Sequence, residues 1–167
     1  IHQMRGQLAE ALDHFHRALA IQEEVGDRTG EATTLNNIGY TYDTRGQLAE
    51  ALDHYQRALT IQEEVGDRAG EATTLNNIGY IYNTRGQLAE ALDHYQRALA
   101  ICREAGNRAV EAITCSNLGV VLDTLGRTAE AVPLLERAVE IERMIGHPNL
   151  DEDQRTLDGL RAKLAGA

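Results

Sequence analysis

Residues 6–45 and 46–85 carry one forty-residue pattern twice, differing at six positions, and residues 86–125 repeat it more loosely. Gly6, Gly46, Gly86 and Gly126 therefore recur at a fixed interval of 40. Such a period arises when a supersecondary unit cannot bury its apolar face alone and stacks on copies of itself instead. The chain is predicted to be a linear array in which each unit touches mainly its neighbours.

Composition narrows the partners. No apolar run approaches the roughly 18–20 residues needed to span a bilayer, so a soluble chain without a membrane partner is expected. The formal charge of −10 supplies no basic stripe to gather phosphates, which argues against nucleic acid and anionic membrane and favours neutral or basic peptides. Cys102 and Cys115 are too few for a disulfide framework and fall in apolar-periodic stretches, so both are expected to be reduced core residues. No signal peptide is visible, the cytoplasm is the expected compartment, and an opening Ile1 suggests a piece of something longer.

The period from Gly46 to Arg85 shows the mechanics. Leu48, Leu52, Tyr55 and Leu59, with Ala51 and Ala58 beside them, follow the i, i+4, i+7, i+11 steps of one helical face, predicting a helix from Gln47 to Val65. Gly66 stands where a helix ends in a left-handed residue, and Asp67 is placed to cap the next helix, predicted from Arg68 to Thr84 with Leu75, Ile78 and Tyr82 on its apolar face. Asp53 with Arg57, Asp13 with Arg17 and Asp93 with Arg97 form i, i+4 supports of about 0.2–0.5 kcal/mol each. Glycine inside a helix costs about 1 kcal/mol relative to alanine, so Gly39, Gly79 and Gly119 must be compensated. Close approach to the small residues Ala51, Ala91 and Ala131 of the following helix is the expected compensation.

The order Leu75, Ile78-Gly79, Tyr82, Gly86, Ala91, Tyr95, Ala98 resembles the tetratricopeptide repeat. It reads Leu35, Ile38-Gly39, Tyr42, Gly46, Ala51, Tyr55, Ala58 one copy earlier and Cys115, Leu118-Gly119, Leu122, Gly126, Ala131, Leu135, Ala138 one copy later. The 40-residue period looks like the long-repeat branch that includes Pins-type adaptors and kinesin light chains, and residues 66–72 look especially like the adaptor branch and its bacterial relatives. Two departures stand out: Leu35, Leu75 or Cys115 replaces an early aromatic, and the proline near the end of the second helix is missing. The resemblance implies an all-α solenoid of antiparallel helix pairs, a superhelix of about three and a half repeats plus a C-terminal capping helix. One domain over 1–167 is expected, with a truncated first repeat at 1–28, repeats at 29–68, 69–108 and 109–146, and the cap at 147–167.

The ends are distinctive. Ile1 to Arg5 corresponds only to the tail of a leading helix, leaving Leu8, Leu12, Phe15 and Leu19 of the next helix uncovered and predicting an apolar edge open to homodimerisation. In the fourth repeat Pro133 enters the first turn or so of its second helix, and His147-Pro148 breaks the chain. A last helix from Asn149 to Leu164 is expected to put Leu150, Leu157, Leu160 and Leu164 on its apolar side and to cap the array.

Function is sought on the face that packing leaves. Thr73, Asn77, Tyr80 and Thr84 share a second strip of their helix, and Thr33, Asn37, Tyr40 and Thr44 share it one copy earlier. With Asn117 these supply amides that offer donors and an acceptor together, as an extended peptide requires, while the Tyr rings add apolar contact with a polar tip. Alternatively the asparagines bond adjacent helices. The resemblance implies that the strip lines the concave groove where such repeats hold peptides. The version that grips a C-terminal carboxylate uses Lys and Arg, whereas this chain has one lysine, Lys163, and places Asp43, Asn83 and Asp123 nearby, so an acidic tail is expected to be repelled. Val120 and Ser116 weaken the strip in the fourth repeat.

Other chemistry finds little support. His14 and His16 lie at i, i+2 on different helix faces, and His14, His54 and His94 recur one repeat apart, so no metal site is expected. The glycines occur singly without a preceding strand or Gly-Lys-Ser, and no nucleophile–base arrangement emerges, so neither a cofactor nor an enzyme is expected. A peptide-binding scaffold, a sensor segment of a larger signalling protein and a self-assembling structural repeat all remain open.

Overall fold

Eight helices joined by short turns make up the described residues, 2–166, of the computed structural model. They are α1 (His2–Val25), α2 (Arg28–Thr44), α3 (Leu48–Val65), α4 (Arg68–Thr84), α5 (Leu88–Ala105), α6 (Arg108–Thr124), α7 (Thr128–Ile145) and α8 (Leu150–Ala165). Two units divide the chain, Ile1–Ile81 and Tyr82–Ala167, so the boundary falls within α4. Among the described residues no helix is long and apolar enough to cross a membrane.

The turn chemistry follows from the residues. Gly66 ends α3 at φ 73° and ψ 25°, a left-handed conformation that side chains resist, and its N–H returns to the Gln62 carbonyl. The Asp67 carboxylate then accepts the Gly70 N–H at 2.9 Å, satisfying one of the orphan donors of α4. A Cβ at position 70 would crowd the Asp67 carboxylate and lie 2.7 Å from Gln62 Nε2, so a side chain there must displace both. Arg68 completes the turn with a 2.6 Å bond to Glu71. Asp27, Gly30 and Gln22 repeat the arrangement in α2. In α6, however, Asn107 replaces the aspartate, Val110 the glycine and Cys102 the glutamine. The cap weakens to 3.3 Å, and the shorter Cys102 removes the amide that would oppose a side chain at 110.

In the first unit Leu12, Leu19, Ala32, Leu35, Ile38, Ala58 and Ile61 form one core with Phe15 and Tyr42 at its margin. This corrects the expected open edge: Leu12 and Leu19 are buried against α2. Among the described residues of α1, Ile21 and Val25 are the exposed large apolar residues instead, at 60% and 70%. Residues 1–5, expected as the tail of a leading helix, join α1 here as far as they are described. Ile1 lies outside the described residues, but α1 runs unbroken from His2 through Gly6, which is not left-handed as Gly46 is.

In the second unit Tyr95, Leu99, Cys115, Leu118, Val121, Leu122, Leu135 and Val139 form the core, completed by Leu157 and Leu160 of α8. Leu164, expected on the same side, is 42% exposed. Pro133 sits five residues inside α7, beyond the first turn that tolerates it best.

Gly39 departs from the expected partner, whereas Gly119 keeps the expected Ala131 and adds Leu135. A Cβ on Gly39 would stand 2.8 Å from two ring carbons of Tyr55, so the aromatic, rather than Ala51, demands the glycine. At Gly119 the nearest atoms are Leu135 Cγ at 3.1 Å, with the Ala131 carbonyl oxygen at 3.4 Å. Ring contacts also change along the chain: Tyr42 meets His54 edge-on at 5.3 Å and Tyr82 lies 5.1 Å from His94, whereas the corresponding positions in α6 and α7 are Leu122 and Leu134.

Candidate functional site

The strip residues of the first unit lie along the faces of α2 and α4 that its core does not use. Thr33, Asn37, Tyr40 and Thr44 of α2 are exposed, Tyr40 by 65%. On α4, Thr73 and Tyr80 are exposed, Tyr80 by 47%, and Asn77 is half-buried. The threonine hydroxyls bond within their own helices: Thr33 donates to the Thr29 carbonyl at 3.0 Å, Thr44 to Tyr40 at 2.9 Å and Thr73 to Ala69 at 3.1 Å. That spends their donors and turns the polarity of the strip over to the amides and the tyrosine rings.

The asparagine pairs divide the labour. Asn36, not Asn37, makes the bond to the next repeat: its Nδ2 donates to Thr74 Oγ1 at 2.7 Å, and Thr74 in turn donates to Gln62 Oε1 at 2.8 Å. Gln62 and Thr74 are buried and Asn36 is half-buried, so the two buried groups need their partners. Periodicity places Asn36 and Asn37 about 100° apart around α2, and the chain uses one for packing and leaves the other at the surface. Sequence reasoning missed the relay because both residues are asparagine in both copies.

In the second unit Thr84 is exposed and Asn117 is half-buried on α6. The strip there is less polar, as expected: Val120 is exposed, and the Ser116 hydroxyl donates to Asp153 Oδ1 at 2.7 Å. Asp123 does not contribute free negative charge, because Lys163 Nζ lies 2.6 Å from its Oδ1 and draws the carboxyl below its ordinary range, with Thr128 assisting. Asp43 of the first unit has no such cation and is pushed upward by burial.

Two further clusters were illegible in the sequence. Glu111 is buried where Arg108 reaches it at 2.8 Å, Arg137 at 3.1 Å and Arg103 at 3.7 Å. Burial alone would raise its carboxyl, but the hydrogen bonds and charges of Arg137 and Arg108 outweigh that and hold it below the ordinary carboxylate range. Glu142 of α7 is buried with Asp153 of α8, and there burial and the second carboxyl push it up to about 7. Cys102 and Cys115 are buried free thiols, each raised to about 11 chiefly by burial. Arg57, expected beside Asp53, reaches Glu23 of α1 at 3.9 Å, while Asp13 and Arg17 pair at 2.8 Å. Among the described residues no group of three or more His, Cys, Asp or Glu is placed to hold a metal ion.

A family model described as tetratricopeptide repeat matches residues 1–64 and 70–143. Among solved structures, RapI in its apo form is similar over 97% of this chain and 45% of its own, at 23% identity and a TM-score of 0.85. This chain therefore spans less than half the length of RapI. BtubC from P. vanneervenii is 20% identical, with 99% of this chain and 77% of that one covered and a TM-score of 0.76. The first TPR of Spaghetti (RPAP3), solved with the HSP90 peptide SRMEEVD, is 23% identical over 80% of this chain and 95% of its own, with a TM-score of 0.66. No curated protein matches the chain. At these identities the structural likeness concerns the fold, an α-solenoid of consecutive helix pairs. With the family model matched across most of its length, the chain belongs to the tetratricopeptide repeat family.

Proposed function

We propose that the chain is a non-enzymatic, cytoplasmic docking scaffold whose first unit receives a partner peptide or helix along the strip formed by Thr33, Asn37, Tyr40 and Thr44 of α2 and Thr73, Asn77 and Tyr80 of α4. Thr84 and Asn117 carry the same chemistry in the second unit. The repeat pattern divides this single domain at 1–28, 29–68, 69–108 and 109–146, followed by a cap at 147–167. One observation carries the reading: Asn36 and Thr74 take up the packing role, and Asn37 and Tyr40 stand exposed beside them with no place in the core. An amide next to an exposed ring suits a backbone whose N–H and C=O groups alternate. The peptide bound by Spaghetti is acidic in sequence. Here the one lysine is engaged by Asp123 and the strip is bordered by Asp43, so the proposed partner is neutral or basic.

An array of immobilised peptides of graded charge, probed with wild-type protein and with Asn37→Ala/Asn77→Ala, tests this. Retention of neutral and basic peptides by the wild type, weakened about tenfold or more in the variant, is the expected result. Equal binding by both proteins defeats the assignment.

Self-association is a second reading, favoured by the exposed Ile21 and Val25 on α1. Light scattering that finds a strict monomer at high concentration removes it.

A further inference from the structure

The relay of the first unit has a counterpart in the second with different chemistry. Where Gln62, Thr74 and Asn36 meet as amide, hydroxyl and amide, the second unit brings together Glu142, Asp153 and Ser116. Both carboxylates are buried, Glu142 completely. Glu142 Oε1 and Oε2 and Asp153 Oδ2 have no hydrogen-bond donor, although the two side chains lie within hydrogen-bonding reach of each other. Two acceptor-only groups cannot satisfy one another unless a proton stands between them.

We propose that Glu142 and Asp153 form a proton-gated latch, which holds α8 against the second unit while one proton is shared and loosens it when both carboxyls are ionised.

The surrounding groups assign the roles. Asp153 accepts the Ser116 hydroxyl from α6 and lies in the first turn of α8, where backbone N–H groups favour negative charge. Glu142 has neither advantage, so the proton resides there. From the α7–α8 turn, His147 presents Nδ1 3.4 Å from Glu142 Oε1, but that nitrogen also faces the Asn149 N–H at 3.3 Å, whose bond requires its lone pair. Arg143 of α7 donates to Gln154 Oε1 at 3.3 Å. His147 is thus the basic group beside the pair, and it gives Glu142 no hydrogen bond. Opening α8 returns Glu142 to water and its ordinary value of 4.5, against about 7 when closed. The closed form binds the proton more tightly. Closure is thus fully supported below about pH 4.5, declines about tenfold per pH unit from there towards about 7, and levels off above that. Releasing α8 uncovers the core residues that Leu157 and Leu160 seal.

Hydrogen–deuterium exchange of the full chain between pH 5 and 8.5, corrected for intrinsic exchange rates, tests the latch. Protection of α8 in the wild type is expected to fall about tenfold per unit up to about pH 7, while α5, which carries neither carboxyl, shows no such slope. Glu142→Gln should flatten the α8 profile and preserve protection at pH 8, and Asp153→Asn should flatten it too, so either variant suffices if the other fails to fold. His147→Gln should keep the wild-type slope. A wild-type α8 profile parallel to α5 overturns the proposal, as does a slope abolished by His147→Gln but retained in Glu142→Gln or Asp153→Asn.

Discussion

Alanine substitution at Gly39 and at Gly159 should change stability in opposite directions. Both glycines lie inside helices, where replacement by alanine recovers about 1 kcal/mol of backbone preference. Nothing lies within 4 Å of a Cβ built on Gly159, so Gly159→Ala keeps the whole gain. On Gly39 the new methyl would stand 2.8 Å from Cδ1 and Cε1 of Tyr55, a fully buried ring with nowhere to swing. Overpacking of this kind costs about 1–3 kcal/mol, leaving Gly39→Ala about 1 kcal/mol less stable than wild type after the helical gain is subtracted. Gly119→Ala falls between them, because its nearest neighbour is a Leu135 branch carbon at 3.1 Å that yields more readily than a ring. Urea unfolding followed by far-UV circular dichroism should rank the three as 159, 119, 39 from most to least stable. If Gly39→Ala gains as much as Gly159→Ala, the Tyr55 ring is not what reserves that position for glycine.

Glu111→Gln should cost about 1.5–3 kcal/mol at pH 7 by removing the charge that Arg108 and Arg137 share. Because the Glu111 carboxyl is held below its ordinary value, its contribution is present above about pH 4.5 and lost as pH falls through the depressed value, so urea midpoints of wild type and variant should converge in acid. Gly70→Val and Gln62→Cys should each destabilise the α3–α4 turn, but Gln62→Cys/Gly70→Val, which copies the pairing at 102 and 110, should cost less than the sum of the two; a double-mutant cycle with no coupling would refute the link.

Most of the architecture was legible because it is written locally. The span of α4, the left-handed Gly66 and the Asp67 cap each depend on residues within a few positions of one another, where periodicity and turn chemistry are strong guides. What escaped depends on distant neighbours. Gly39 announced a close approach, but only three-dimensional packing selects Tyr55 over Ala51 as its cause. The Asn36-Asn37 doublet says that one amide faces inward without saying which. Glu142 looks like any helical glutamate, and its burial follows from a slot occupied by Gln62 in the first unit and Cys102 in the third copy. On the candidate site, the apolar and polar faces were separable in advance, whereas the neutralisation of Asp123 required Lys163 from forty residues away.

The contrast between the two buried relays bears on how nearly interchangeable copies avoid joining in the wrong order. Leucine and alanine surfaces repeated every forty residues would accept one another promiscuously. Thr74 fits between Asn36 and Gln62, but seated against Ser116 and Glu142 it would bring no carboxyl to share a proton; Asp153 seated against Gln62 and Asn36 would bring a charge with no cation to meet it. A few concealed heteroatoms thus act as addresses, discouraging misassembly that the greasy surfaces alone would permit.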